Sequence, residues 1–368
     1  MRTPPLRIGV DARELLGDAT GVGRYLGELI RRWVIRADAA SRRFLLYAPA
    51  PLALDLPPEV VEHRIIGNGQ GAGTWWEQTW LRRTARRDRP DIFFAPAYTA
   101  PLGIDVPLAV TIHDVSFIAH PEWFRHREGL RRRWLTRRAA ETASIVFTDS
   151  DFSCREIQHH LHIPRRRIEV IPPGVSTPAP VLGNHGRGTP YVLYVGSLFN
   201  RRRLPDLIAA FARATLDMAR TRLVIVGDDR TWPPQDLPGL AASYGLSRRV
   251  EFRAYVPDGE LAALYAGASV FAFLSEYEGF GLTPLEALTA GVPIVVLDTP
   301  VAREVYGDAA AYVAPDDVEG TAEELRRFLR SPDAGRALLA RAPAVLARYS
   351  WDRTADRTLE HLERTVSG

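Results

Sequence analysis

The stretch Val270-Phe271-Ala272-Phe273-Leu274-Ser275-Glu276-Tyr277-Glu278-Gly279-Phe280-Gly281-Leu282-Thr283-Pro284-Leu285-Glu286-Ala287-Leu288 reads as three consecutive pieces. The apolar run 270–274 has the length of a strand and no polar alternation, as a strand covered on both faces requires. A polar loop with two glycines follows. Thr283 then has the chemistry of an N-cap, Pro284 suits the first helical position, and Glu286 stands where a capping box places its acid. Strand, glycine loop and helix in that order form a unit of a parallel α/β sheet, and in such sheets ligands bind beyond the carboxyl ends of the strands.

The same alternation extends outward in both directions. Apolar strand-length runs occur at 7–11, 44–48, 61–66, 91–95, 108–113, 145–148 and 168–171, and again at 191–195, 223–226, 250–255, 270–274, 294–297 and 311–313. Between the first two, Val22, Leu26, Leu29, Ile30, Trp33 and Val34 recur with a period of 3.6 and mark an amphipathic helix. Pro172-Pro173-Gly174 and the Pro- and Gly-rich 177–190 break the series in two. The expected architecture is α/β: two Rossmann-like, doubly wound domains, 1–176 and 188–348, with a cleft between them. Residues 349–368 form a last helix, with Leu359, Leu362 and Val366 on one face.

Composition narrows the chemistry. The chain has 368 residues, more than one hydrophobic core usually serves. All 47 of its basic side chains are arginine. Without lysine there is no P-loop and no Schiff-base catalysis. The single cysteine, Cys154, forms neither an internal disulfide nor a cysteine zinc site. A net charge of +3 and the lack of a recognised motif argue against nucleic acid as a partner. No apolar run approaches the roughly 20 residues of a membrane span, and the N-terminus lacks the apolar core of a signal peptide, so a cytoplasmic location is expected.

In the loop after 270–274, Glu278 and Glu286 each offer a carboxylate able to accept two hydroxyl hydrogen bonds, which suits a sugar or a ribose. Glu278 has no competing role except as a solvated loop charge. Glu286 has two readings, ligand contact and helix capping, and both stand. Gly279 and Gly281 let backbone N–H groups approach an anion at a helix N-terminus. Arg201 and Arg202 follow the strand 191–195 and Gly196, at the head of a helix with Leu204, Leu207, Ile208 and Phe211. Fixed guanidinium groups there stabilise charge on a leaving phosphate; the competing reading is a solvated arginine triplet.

The segment Glu278-Gly279-Phe280-Gly281-Leu282-x-Pro284-Leu285-Glu286-Ala287 resembles the E-x7-E signature of the retaining glycosyltransferases of family 4, which have the GT-B fold. Tyr194-Val195-Gly196-Ser197-Leu198 with Arg201-Arg202, Thr20-Gly21-Val22-Gly23-Arg24-Tyr25, Thr111-Ile112-His113-Asp114, Ser150-x-Phe152-Ser153 and Val170-Ile171-Pro172-Pro173-Gly174-Val175 extend the resemblance over nearly the whole chain. It implies a hexosyltransferase, similar to bacterial polysaccharide mannosyltransferases, acting on a nucleotide-sugar donor and a glycan or lipid-linked acceptor. It implies no metal and no other cofactor, donor on the C-terminal domain, acceptor on the N-terminal one, and a last helix crossing back to the N-terminal domain.

Carried over residue by residue, the resemblance gives Glu278 the donor sugar, Glu286 the ribose, and Arg201 and Arg202 the diphosphate. His113 contacts the sugar near the reaction centre. Gly21, Gly23, Gly196, Ser197, Gly279, Phe280, Gly281 and Leu282 approach the donor, and Tyr255 and Val256 belong to the base-binding loop. Arginine at 202 stands where the family usually has lysine, and Ala254 where glycine is usual. Other GT-B activities, epimerase or phosphorylase, and a non-catalytic sugar-nucleotide-binding protein are the alternatives.

Asp149-Ser150-Asp151 spells a metal-site motif, but between a strand and a helix it reads as a cap. Arg125 to Arg138 holds seven arginines and one glutamate around Leu130, Trp134 and Leu135. It reads either as a surface helix with Leu130 and Trp134 in the core, or as a peripheral contact with anionic membrane.

Overall fold

The computed structural model describes residues 4–17, 21–67, 71, 73–176 and 189–367. Thr20 of the Gly21 loop and 177–188 of the Pro- and Gly-rich break lie outside the described residues. The chain forms two compact units: Met1–Ala119, Arg127–Gly174 and Ser350–Gly368 in the first, His120–His126 and Val175–Tyr349 in the second.

The first unit holds β1 (Leu6–Asp11), β2 (Arg42–Ala48), β3 (Val61–Ile65), β4 (Ile92–Ala95), β5 (Leu108–Thr111), β6 (Ile145–Thr148) and β7 (Ile168–Val170). They form one parallel sheet in the order β3-β2-β1-β4-β5-β6-β7. The second unit repeats the plan with β8 (Tyr191–Val195), β9 (Arg222–Val226), β10 (Val250–Arg253), β11 (Val270–Phe273), β12 (Ile294–Leu297) and β13 (Ala310–Val313), ordered β10-β9-β8-β11-β12-β13 and also parallel. In each sheet the strand order reverses once, beside β1 and beside β8, and such a reversal opens a crevice at the carboxyl edge.

The Gly21–Ile35 helix buries Tyr25, Leu26, Leu29, Ile30, Trp33 and Val34, while Val22 is half-buried. Against it lies the last helix, Trp351–Ser367, whose Trp351, Ala355, Leu359 and Leu362 enter the same core. Trp33 Nε1 donates to Ala355 O at 2.9 Å, and Thr354 Oγ1 donates to Pro172 O at 2.7 Å. A Cβ on Gly174 would stand 2.1 Å from Trp351 N, so this close approach admits only glycine. The C-terminal helix thus completes the first unit rather than the second.

The arginine-rich helix, His126–Thr142, corrects one expectation. Leu130 and Trp134 are 48% and 58% exposed, not in the core. The buried face is Gly129, Leu135, Thr136, Ala139 and Ala140. Small residues there bring the helix close to the sheet, and that contact sets its rotation.

Candidate functional site

The expected loop follows β11, next to β8 across the reversal in the second sheet. Its helix, Leu282–Thr289, starts earlier than the capping pattern predicts. The N-cap is Gly281, at φ 91°, with no side-chain cap; Thr283 is already inside the helix. A distant residue fixes this start: Tyr306 Oη donates to Gly281 O at 2.9 Å, and a Cβ on Gly281 would meet that hydroxyl at 2.2 Å. The capping-box reading of Glu286 therefore fails. Glu286 is buried, and its Oε2 accepts from Tyr265 Oη at 2.9 Å. Thr283 Oγ1 is buried without a hydrogen-bond partner.

Glu278 is not a solvated loop charge either. Its side chain is 13% exposed and lies 2.8 Å from Arg202 Nε. Arg202 Nη2 donates to Oε2 at 3.3 Å, and Ser275 Oγ donates to Oε1 at 2.6 Å. Arg202 lies over the Phe273 ring at 4.5 Å. Burial works against its charge, but Glu278 and Tyr194 outweigh burial and hold it more firmly protonated than usual. Gly196, at φ 144°, makes room for it: a Cβ there would stand 2.4 Å from Arg202 Nη1.

Arg201 is equally enclosed, at 8% exposure. Its guanidinium sits 4.5 Å from the Phe199 ring centre, its Nε is 3.8 Å from Glu278 Oε1, and that Nε has no hydrogen-bond partner. The third arginine, Arg203, is instead tied by ion pairs to Asp206, Glu276 and Asp316. The solvated-triplet reading therefore fails for Arg201 and Arg202. A shallow recess opens beside Glu278, bounded by Phe273, Ser275, Phe280 and Tyr306. The second unit thus brings together Gly196, Arg201, Arg202, Glu278 and Gly281, with Ser197, Gly279, Phe280 and Leu282 adjoining them in the chain.

The remaining expected residues sit elsewhere. Tyr255 is exposed and Val256 buried, just past β10 at the sheet edge, two strands from β8. Gly21 and Gly23 lie in the first turn of the Gly21–Ile35 helix of the first unit. His113 follows β5 there, with Nδ1 2.8 Å from Asp149 Oδ2 and Nε2 3.0 Å from Pro96 O. Both partners are acceptors, an arrangement that favours a proton on each ring nitrogen. Burial opposes that charge and Asp149 outweighs it, raising the His113 pKa. In Asp149-Ser150-Asp151 it is Ser150 that caps the Asp151–Leu161 helix, accepting from Ser153 N at 3.0 Å. Asp114 accepts from Ser116 N and Oγ and orders its own loop.

Sequence reasoning missed Tyr265, Tyr306, Ser275 and Asp149. Ser275 and Asp149 lie inside the quoted segments. The two tyrosines act across 21 and 25 residues, and no local pattern marks them.

Comparison with known proteins fits this geometry. The family model "Glycosyltransferase Family 4" matches residues 19–178, and "Glycosyl transferases group 1" matches 183–344. The O-antigen chain mannosyltransferase B of Escherichia coli is 26% identical, over 92% of this chain and 95% of its own length. The D-inositol 3-phosphate glycosyltransferase of Corynebacterium urealyticum is 30% identical, over 64% of this chain and 60% of its own. Among solved structures, WaaG, a glycosyltransferase involved in lipopolysaccharide biosynthesis, superposes with a TM-score of 0.76 at 18% identity, covering 97% of this chain and 99% of WaaG. Anabaena HepE in complex with UDP and glucose gives 0.74 at 20%, covering 98% and 100%. With one family model on each half and a Rossmann-like parallel sheet in each unit, the chain belongs to the group 1, family 4 glycosyltransferases.

Proposed function

We propose that this glycosyltransferase moves a hexose, mannose first among candidates, from a nucleoside diphosphate to a hydroxyl of a glycan or lipid-linked acceptor. The transfer retains the anomeric configuration and needs no metal ion. One observation carries the donor reading: two buried guanidinium groups flank a single carboxylate, and Arg201 Nε is left unpartnered. A buried cation with spare donors is costly unless an anion completes it. A diphosphate does so, and the Leu282 helix N-terminus adds to the same field.

As the glycosidic bond breaks, charge grows on the phosphate oxygen, where fixed guanidinium groups stabilise it most. Glu278, relieved of Arg202 by the diphosphate, turns to the sugar hydroxyls. Among the described residues beside Glu278 none stands out as a nucleophile behind a bound sugar, and on this reading the leaving phosphate takes the acceptor proton on the same face. Mannose is supported by the Escherichia coli mannosyltransferase, and a nucleotide donor by the UDP complex of HepE.

The test is a panel of UDP-, GDP-, ADP- and dTDP-sugars, scored for thermal stabilisation and slow hydrolysis with excess EDTA. One donor should stabilise and hydrolyse; activity lost with EDTA and restored by manganese overturns the metal-free reading. Glu278→Ala should keep nucleotide affinity and lose discrimination between sugars. Trapping a glycosyl-enzyme overturns the front-face route.

The exposed face of the His126–Thr142 helix supports a peripheral contact with anionic lipid. Arg127, Leu130, Arg131, Trp134 and Arg138 all face solvent at helical spacing, so apolar and cationic groups share one stripe. Co-sedimentation with phosphatidylglycerol vesicles should fall with salt and with Leu130→Ser plus Trp134→Ser; no binding at low salt rejects it.

A further inference from the structure

The segment His120–His126 is flanked in the chain by first-unit residues but packs within the second unit. Its Pro121–Trp123 turn folds the indole of Trp123 onto the His120 ring, with centroids 3.9 Å apart and planes 14° from parallel. His120 meets Tyr277 edge-on at 5.4 Å, and Tyr277 immediately precedes Glu278. At the other end, the Arg125 guanidinium lies 5.0 Å over the Trp232 ring. Trp232 N donates to Asn200 Oδ1 at 2.8 Å, and Asn200 immediately precedes Arg201. The segment therefore abuts the neighbours of both the sugar carboxylate and the phosphate arginines.

A segment that served only to pack would hide its rings. Here Trp123 and His120 are half-buried, while Glu122, with Oε1 3.1 Å from His120 Nδ1, and Arg125 further along the segment are exposed. A partly exposed indole with a carboxylate and a guanidinium on the same short segment has the chemistry of a pyranose site. The ring's negative face attracts the polarised C–H side of a sugar, and the charged groups take its hydroxyls.

We propose that Trp123, stacked on His120, is the platform for the acceptor's pyranose ring, with Glu122 and Arg125 binding its hydroxyls. The inference rests on the donor reading of Glu278, and it places acceptor recognition on a segment outside the signature loops.

Saturation-transfer NMR with methyl α-mannopyranoside, in the presence of saturating GDP, tests it. Wild type should show transfer to the sugar. Trp123→Ala should bind about tenfold more weakly, equal to about 1.4 kcal/mol. Trp123→Phe should recover most of the signal, and Glu278→Ala should keep it. Thermal stabilisation by GDP should be the same in wild type and both Trp123 variants, which establishes that they fold. No transfer in wild type, an unchanged Trp123→Ala signal, no recovery in Trp123→Phe, or a loss confined to Glu278→Ala each overturns the platform. Failure of wild type to bind any nucleotide overturns the donor reading instead.

Discussion

Both units place an arginine–carboxylate cluster at the carboxyl edge of the strand beside the reversal, and the two clusters have opposite balance. After β1, Arg13 pairs with Asp11 at 3.0 Å and with Glu77, all three side chains being at most 9% exposed. Thr99 Oγ1 and Gln78 Nε2 donate to the two Glu77 oxygens at 2.6 and 3.0 Å. This cluster has one cation for two acids. After β8, Arg201 and Arg202 share the single acid Glu278. The same position in the same topology yields a closed, acid-rich brace in one unit and a cation-rich cluster in the other. Strand order makes the crevice; the charge count decides what enters it.

The comparison breaks most visibly at Arg202. Arg202→Ala removes one of the two cations, and with it the whole excess, and leaves Glu278 buried with Ser275 as its main support. Transfer kcat/KM should fall by about a hundredfold to a thousandfold, the loss of about 3–4 kcal/mol typical of a preorganised charge-stabilising donor. Initial rates with the preferred donor measure it, and a loss below threefold would remove Arg202 from the chemistry.

The first cluster should respond in stability, not rate. Burial, with Glu77 adding to it and Arg13 opposing, pushes the Asp11 pKa from 3.8 up to about 6. Because the folded value is the higher one, the stability from this group is full below pH 3.8 and is lost as pH rises through about 6. At pH 7.5 the ionised carboxylate costs about 3 kcal/mol at most, at 1.36 kcal/mol per unit. Asp11→Asn should therefore raise the urea midpoint at pH 7.5 and flatten its decline between pH 4 and 7. A variant less stable than wild type at pH 7.5 would show that the Arg13 pairing outweighs burial.

The smallest effect belongs to Tyr265. Tyr265→Phe strips a donor from the buried Glu286 carboxylate and should lower stability by about 1–2 kcal/mol. Nucleoside diphosphate should restore much of that if Glu286 holds ribose. Calorimetry with and without GDP separates this from a purely structural role, in which the deficit persists.

The strands were legible because nearly every one is a continuous apolar run, and β1 to β13 fall within a residue or two of the runs that predict them. What escaped depends on contacts distant in sequence. Thr283 looks like a cap, but Tyr306 fixes the helix start at Gly281. Glu278 looks solvated until Arg202, 76 residues away, is brought against it. Leu130 and Trp134 look like core because they are large apolar residues of their helix, yet of its three such residues only Leu135 is buried. Ala139 and Ala140 win the sheet instead, since small side chains permit a closer approach than periodicity alone reveals. The arginines were legible by type and by their place after a strand, and their burial was not.

The return of the last helix to the first unit has a consequence for synthesis. Trp351, Ala355, Leu359 and Leu362 are made after the whole second unit, yet they fill a core whose other walls come from residues 8–171. A ribosome that has just finished the second unit holds a first unit with one apolar face uncovered. The second unit, contiguous from Val175 to Tyr349 apart from one short segment, has its strands complete before the first is sealed. The order of completion runs opposite to the order of translation, and a chain stopped before Trp351 presents that face to chaperones and proteases.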